Sequence, residues 1–229
     1  MIDGMVASEP DAGFKIVANV FSAAEVSELL ASLDMSGTVR SRAGARHLMS
    51  DPAVARAARD ERMVLIARRF IGSDPVPFRA TLFDKSPSHN WLVAWHQDTA
   101  LPLRERRDVF GWGPWSVKDG ITYAHAPTEA LSRVVALRLS LDDSDAENGP
   151  LRVIPETHAL GLLSHADIAR LTRERNAVDC LVGAGGVVAM RPLILHASSK
   201  ATGDRPRRVL HIEYADALAV GDDLELAIA

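Results

Sequence analysis

The chain has 229 residues, of which 47% are hydrophobic and 24% charged, with a formal net charge of -4. That size and balance suit one sizeable globular domain, and the slight acidity gives no electrostatic basis for binding nucleic acid. No apolar run approaches the ~20 residues a membrane span requires. The single cysteine, Cys180, excludes an internal disulfide and fits a reducing, cytoplasmic setting.

The first ten residues lack the basic start and apolar core of a signal peptide. Ser22-Ala-Ala-Glu25 is a capping box, and Val26, Leu29, Leu30 and Leu33 follow at helical spacing, so a first helix is predicted there. A second is predicted from Asp51-Pro52 to about Phe70, ending before Gly72. Between them, Arg40 to Met49 is polar and glycine-containing, hence loop. From Pro75 the texture changes to short strand-like runs divided by Gly, Pro and Asp. They are Phe78–Lys85, Leu92–Asp98, Val134–Asp142, Leu151–Ile154, Asp179–Val182, Gly186–Met190 and Arg207–Tyr214. Asn148-Gly149 is a tight-turn signal between two of them. Cys180 lies within one such run and is read as strand packing rather than a nucleophile.

Residues 99–130 form an irregular insertion holding Trp112, Trp115, Lys118 and Tyr123. It is expected to serve as a lid; its aromatic residues either wall a pocket or pack the lid itself. Its arginines, Arg104, Arg106 and Arg107, alternate with Glu105 and Asp108 and read as a solvated loop rather than an anion site. The expected layout is a single domain: a helical part over about residues 1–74, a β core over about 75–215, and the insertion. Short strands with turn signals favour a sandwich or barrel over alternating β/α units.

The chemistry centres on Trp95-His-Gln-Asp98. Side chains two apart on a strand share a face, so His96 and Asp98 present an imidazole and a carboxylate to one point. Two tryptophans, Trp91 and Trp95, flank the pair in an apolar run, where an unpaired carboxylate is costly. Of the eight histidines, His47, His89, His125, His158 and His165 lie in polar or loop-like settings, and His211 is in a strand near the chain end. His196 closes an apolar run and, taken alone, is as well explained by core packing as by ligation. With His96 and Asp98 it completes a two-His, one-carboxylate face that leaves positions open on a ferrous ion. Downstream, Arg205, Arg207 and Arg208 stand 9, 11 and 12 residues after His196 at the entry to a strand. Any of them offers a guanidinium to a carboxylate, or simply makes a basic turn.

As an ordered set, these residues resemble the phytanoyl-CoA dioxygenase family of iron- and 2-oxoglutarate-dependent oxygenases. The matching pieces are Phe83-Asp-Lys-Ser-Pro87, Trp95-His-Gln-Asp98, Asn148-Gly-Pro-Leu151, Ile154-Pro-Glu-Thr-His158, His196-Ala-Ser198, and Arg207 with Tyr214. The resemblance implies a mainly β fold, a double-stranded β-helix (jelly roll) preceded by helices. It implies that His96, Asp98 and His196 ligate Fe(II), and that Arg207, assisted by Ser198, binds the distal carboxylate of the cosubstrate 2-oxoglutarate. Arg205 is the rival for that role; Lys85 matches a family lysine without an assigned role. The family's usual Pro-Gly-Ser-His here reads Pro155-Glu-Thr-His158, a departure expected to alter a loop and not the chemistry. Halogenating relatives replace the metal carboxylate by a small residue, so Asp98 argues for hydroxylation. The implied reaction is hydroxylation of a small molecule with O2, releasing succinate and CO2, with no nucleic-acid or membrane partner. Two rivals remain: a zinc hydrolase on the same three residues, which leaves Arg207 unexplained, and a non-catalytic jelly-roll binding protein.

Overall fold

The computed structural model describes residues 11–35, 44–72, 74–86, 88–221 and 223–229; the N-terminal decapeptide, residues 36–43 with the start of the first loop, Ser73, Pro87 and Asp222 lie outside them. Strand β1 (Phe14–Val17) leads into helix α1 (Ala23–Met35). Its capping box closes reciprocally: the Glu25 amide donates to the Ser22 hydroxyl at 3.3 Å, and the Ser22 amide to the Glu25 carboxylate at 2.7 Å. After β2 (Gly44–Ala45) come α2 (Pro52–Ala58) and α3 (Glu61–Ile71), where the sequence suggested one continuous helix. The break has a local cause. Asp60 takes an extended backbone and accepts from the Arg62 amide, so its side chain caps a new helix instead of continuing the old one.

The β region runs β3 (Val76–Lys85), β4 (Val93–His96), β5 (Ala100–Leu103), β6 (Trp115–Lys118), β7 (Ile121–His125), helix α4 (Thr128–Ser132), β8 (Val134–Ser140) and β9 (Leu151–Ile154). It continues with helix α5 (His165–Glu174), β10 (Val178–Cys180), β11 (Val187–Met190), β12 (Leu195–Ser198), β13 (Arg207–Ala215), and a ribbon of β14 (Ala219–Gly221) and β15 (Leu224–Glu225). A six-stranded antiparallel sheet has the order β1-β11-β8-β13-β3-β2, and a four-stranded one the order β10-β9-β12-β4. From β3 onward the chain passes back and forth between these two sheets, the winding of a double-stranded β-helix.

Period-two alternation decides what each face of the large sheet meets. On β13, Leu210, Ile212 and Tyr214 face outward; with Leu137 and Leu139 of β8 they pack on Val26 and Leu33 of α1, Val54 of α2 and Met63 of α3. The Tyr214 hydroxyl donates to the Ala58 carbonyl at 2.8 Å, tying the end of α2 to this sheet. The opposite residues, Arg207, His211 and Glu213, look between the sheets beside Arg79 and Phe83 of β3 and Arg138 of β8. Part of that interior is apolar, with Val153, Cys180, Val188 and Ile194 in contact. Cys180 is packed there and burial pushes its thiol up to about 12, as suits a packing residue.

Residues 99–130 are more ordered than the sequence suggested. β5, β7 and β6 form a three-stranded antiparallel sheet directly after the His96-Gln-Asp98 run. Trp112 is buried against Leu101, Leu103 and Ala126, with Trp115 alongside. Among the described residues, no helix is long and apolar enough to cross a membrane.

Candidate functional site

His96 ends β4, and Asp98 follows two residues on. His196 lies on the neighbouring strand β12, directly opposite His96 in the antiparallel register. The structure therefore brings the three predicted ligands together, each offering a ligand atom within 4.8 Å of the others. Nε2 of His96 lies 3.6 Å from one Asp98 oxygen, and Nε2 of His196 lies 3.4 Å from the other. Both imidazoles are oriented from behind. Nδ1 of His96 meets the Ala94 carbonyl at 2.8 Å, and Nδ1 of His196 meets the Ile194 carbonyl at 2.9 Å. A carbonyl only accepts, so each Nδ1 donates to it and each Nε2 is turned into the site, toward Asp98.

Gln97 faces away and fixes the strand. Its amide donates to the carbonyls of Gly161 and Leu193 at 2.8 and 2.7 Å and accepts from the Leu163 amide at 2.9 Å. The Asp98 amide donates to the Pro192 carbonyl at 2.9 Å. Burial works to raise the Asp98 carboxyl, but attraction and hydrogen bonding to His196 and His96 hold it well below its ordinary value. For His96, burial works downward, and hydrogen bonding and attraction to Asp98 override it.

Behind the triad is a pocket of buried cations. Arg207 opens β13 opposite Lys85 of β3 and is 4% exposed; Lys85 is 1% exposed. The Ser198 hydroxyl joins them: it accepts from Lys85 Nζ at 2.8 Å and from the Arg207 guanidinium at 3.3 Å, and donates to the Gly149 carbonyl at 2.8 Å. Lys85 Nζ also donates to the Ser199 carbonyl at 2.6 Å. Neither cation has a carboxylate within ion-pair distance among the described residues. Burial, then the nearby Arg207 and Arg138, pushes the Lys85 ammonium down to about 8. The rival Arg205 precedes the strand, is exposed and pairs with Asp145. Arg208 turns outward onto Asp142, at 2.9 and 2.7 Å.

Sequence reading missed three other inward-facing groups. Arg138 and His211 are cross-strand neighbours, with guanidinium to Nδ1 at 3.0 Å. Glu213 is buried in an ion pair with Arg79. The signal was available: an arginine inside Val134-Val-Ala-Leu-Arg-Leu-Ser140 is costly in a core strand unless it has work to do. The triad, Ser198, Arg207 and Arg138 line one cavity of about 380 Å3, which Tyr123 of β7 and Lys118 of β6 also border; Lys85, Trp112 and Trp115 do not line it.

Two facing antiparallel sheets with a His, Asp, His cluster at one end define the cupin-like architecture of the 2-oxoglutarate oxygenases. The chain belongs to the phytanoyl-CoA dioxygenase (PhyH) family, whose pattern matches residues 11–209. A curated relative, L-proline trans-4-hydroxylase of Streptomyces griseoviridis, is 28% identical over 192 residues. The match covers 72% of this chain and about 63% of the relative's length. Among solved structures, AviO1 from Streptomyces viridochromogenes Tue57 superposes with a TM-score of 0.66 at 22% identity, covering 91% of this chain and 92% of its own. EctD from S. alaskensis, with 2-oxoglutarate and 5-hydroxyectoine, gives 0.68 at 21% identity, with 90% and 72% covered. HygX from Streptomyces hygroscopicus, with nickel and 2-oxoglutarate bound, gives 0.63 at 18% identity, with 90% and 83% covered. At these identities the solved structures speak for the fold.

Proposed function

We propose that this protein is an Fe(II)- and 2-oxoglutarate-dependent dioxygenase that hydroxylates a small molecule. The observation that carries the reading is the adjacency of two sites in one cavity: a convergent His96, Asp98, His196 face and the buried Arg207, which has no carboxylate within ion-pair distance among the described residues.

The donor set fits the metal. Bonds of about 2.0–2.2 Å to imidazole and carboxylate put neighbouring ligand atoms roughly 3 Å apart, close to the observed 3.4 and 3.6 Å. Two neutral imidazoles and one carboxylate on one face are the ligands a non-haem ferrous ion takes while keeping positions open. When bound, iron with 2-oxoglutarate and O2 supplies the oxidising chemistry that places oxygen on a C–H bond and yields succinate and CO2.

The chain's own residues supply the rest. His96, Asp98 and His196 would hold the ion, their orientation set by the Ala94 and Ile194 carbonyls. Arg207 and the Ser198 hydroxyl would receive the distal carboxylate of 2-oxoglutarate, with Lys85 adding charge and holding Ser198 in place. In the same reading the chain is one oxygenase domain, its helical first part of about 74 residues backing the large sheet. Residues 99–130 act as a lid, a role supported by Lys118 and Tyr123 bordering the cavity. The curated relative's name makes small carboxylic acids such as L-proline the first substrates to test.

Anaerobic protein with Fe(II) and 2-oxoglutarate should develop the weak visible charge-transfer band of a bound chelate. Its absence in folded protein overturns the reading. Retained zinc with hydrolytic turnover would support a hydrolase instead.

A further inference from the structure

We propose that the primary substrate is a small organic anion whose charged group is received at the cavity mouth by Lys118 and Arg46, beside the Tyr123 hydroxyl. The inference rests on the oxygenase reading and extends it to substrate class.

The first argument is a charge balance. Among the described residues, five Arg and Lys side chains line the cavity, Arg46, Arg79, Lys118, Arg138 and Arg207, against a single carboxylate, Asp98. Arg79 is matched by buried Glu213 and also donates to the Ala100 carbonyl at 3.1 Å. A ferrous ion and the 2-oxoglutarate dianion cancel each other. Arg46 reaches Asp119 only at 4.0 Å, with both side chains more than half exposed, a pair that screening makes weak. Lys118, Arg138 and Arg207 have no carboxylate within ion-pair distance among the described residues, and Asp98 offsets one of the three charges. The loaded cavity thus keeps a positive surplus, which a neutral substrate would leave uncompensated and an anion would use.

Geometry places the surplus. Lys118 Nζ lies 4.8 Å from the centre of the Tyr123 ring, and the Arg79 guanidinium lies 5.6 Å from it. The Tyr123 ring is almost fully buried, and its hydroxyl is fixed by His47 Nε2 at 2.9 Å. Lys118 therefore stands over a rigid platform. Burial, then Arg79 and Arg46, lowers its ammonium, so the like charges strain one another. Lys118, Arg46 and Tyr123 border the same cavity as Asp98. Two separate stretches of chain build this cluster, Arg46 next to β2 and Lys118 at the end of β6. It is a different cluster from Lys85, Ser198 and Arg207, so cosubstrate and substrate anions have separate receptors.

The test uses the full-length protein with Fe(II) and 2-oxoglutarate, kept anaerobic for binding and aerobic for turnover. The probes are N-acetyl-L-proline, hexanoate, phenylacetate and phenyl phosphate, each paired with its neutral amide or, for the phosphate, phenol. Two readouts are taken: perturbation of the visible chelate band, and succinate release above background. At least one anion should respond and its neutral partner should not, and the responder tells carboxylate from phosphate recognition. Lys118→Met should weaken that response by about tenfold or more, the worth of one charge-assisted contact, and Lys118→Arg should restore most of it. Titration of the band with 2-oxoglutarate should stay unchanged in both variants, showing that the fold and cosubstrate site survive. The inference is overturned if neutral compounds respond as well as anions, if no anion responds while the band forms normally, or if Lys118→Met with Arg46→Met leaves the response intact. Failure of the band in the unaltered protein removes the oxygenase reading, and this inference with it.

Discussion

At Gly149 one hydrogen atom in place of a side chain leaves room for the Lys85, Ser198, Arg207 cluster, the proposed cosubstrate pocket. The backbone there has φ +69°, and a Cβ would stand 2.4 Å from the Ser199 carbonyl oxygen and 2.9 Å from Lys85 Nζ. Its own carbonyl receives the Ser198 hydroxyl. Gly149→Ala should therefore cost about 1–3 kcal/mol of stability in denaturant unfolding and weaken 2-oxoglutarate at the same time. Arg207→Ala separates the two effects: loss of a charged hydrogen-bonding partner, about 1.5–3 kcal/mol, should appear in the chelate-band titration. Lys85 adds a pH dependence. Its ammonium, charged below about pH 8, attracts the dianion, so affinity should fall as pH rises through about 8. Lys85→Met should flatten that profile. Glu156 is the converse of Gly149. It occupies the left-handed region at φ +65°, where the family pattern carries glycine, and its side chain is exposed. Glu156→Gly should relieve roughly 0.5–1 kcal/mol after the entropy glycine adds to the unfolded chain, with turnover unchanged.

At the scale of elements, register matters more than any single contact. The β4–β12 pairing sets His96 opposite His196, and the β13–β3 pairing sets Arg207 opposite Lys85. The alternating runs of β3, β8 and β13 were legible in the sequence because each carries a period of two with apolar residues on one face. Arg207 was not separable from Arg205 by that rule, since two residues apart on a strand share a face. What decides is where β13 begins, and a loop pairing Arg205 with Asp145 is a tertiary fact. β12 escaped because Leu193-Ile-Leu-His-Ala is buried on both sides and shows no alternation. β5 to β7 escaped because glycine, proline and charge dominate that stretch, and its pairing is formed across the insertion. The break between α2 and α3 was readable in principle from Asp60. Asp60→Ala should cost about 1–2 kcal/mol through the lost cap. It should also loosen Arg62, which bridges Asp60 and Glu25 at 2.8 and 2.7 Å, and so the packing of α3 on α1, visible as faster amide exchange in both helices.

For the whole molecule, the proposed metal site joins segments that are distant in sequence, so an ion bound there should stabilise the fold. His96 ends the strand that follows β3 and Asp98 lies two residues beyond it, and His196 is on β12, 98 residues after Asp98; the unfolded chain cannot hold them together. Ligand at a hundred times its dissociation constant adds about 2.7 kcal/mol, which for a chain of this size corresponds to roughly 5–10 °C in Tm. Calorimetry of chelator-treated protein, with and without Fe(II) under argon, should show that gain, and His196→Ala should lose it. Adding 2-oxoglutarate should raise Tm further only when metal is present, because the two would share one cavity with Arg207 and Ser198 at its far end. A 2-oxoglutarate shift that persists in chelated protein would mean that the cation pocket binds the dianion by itself. Equal Tm values with and without the ion would mean that the three side chains do not hold it.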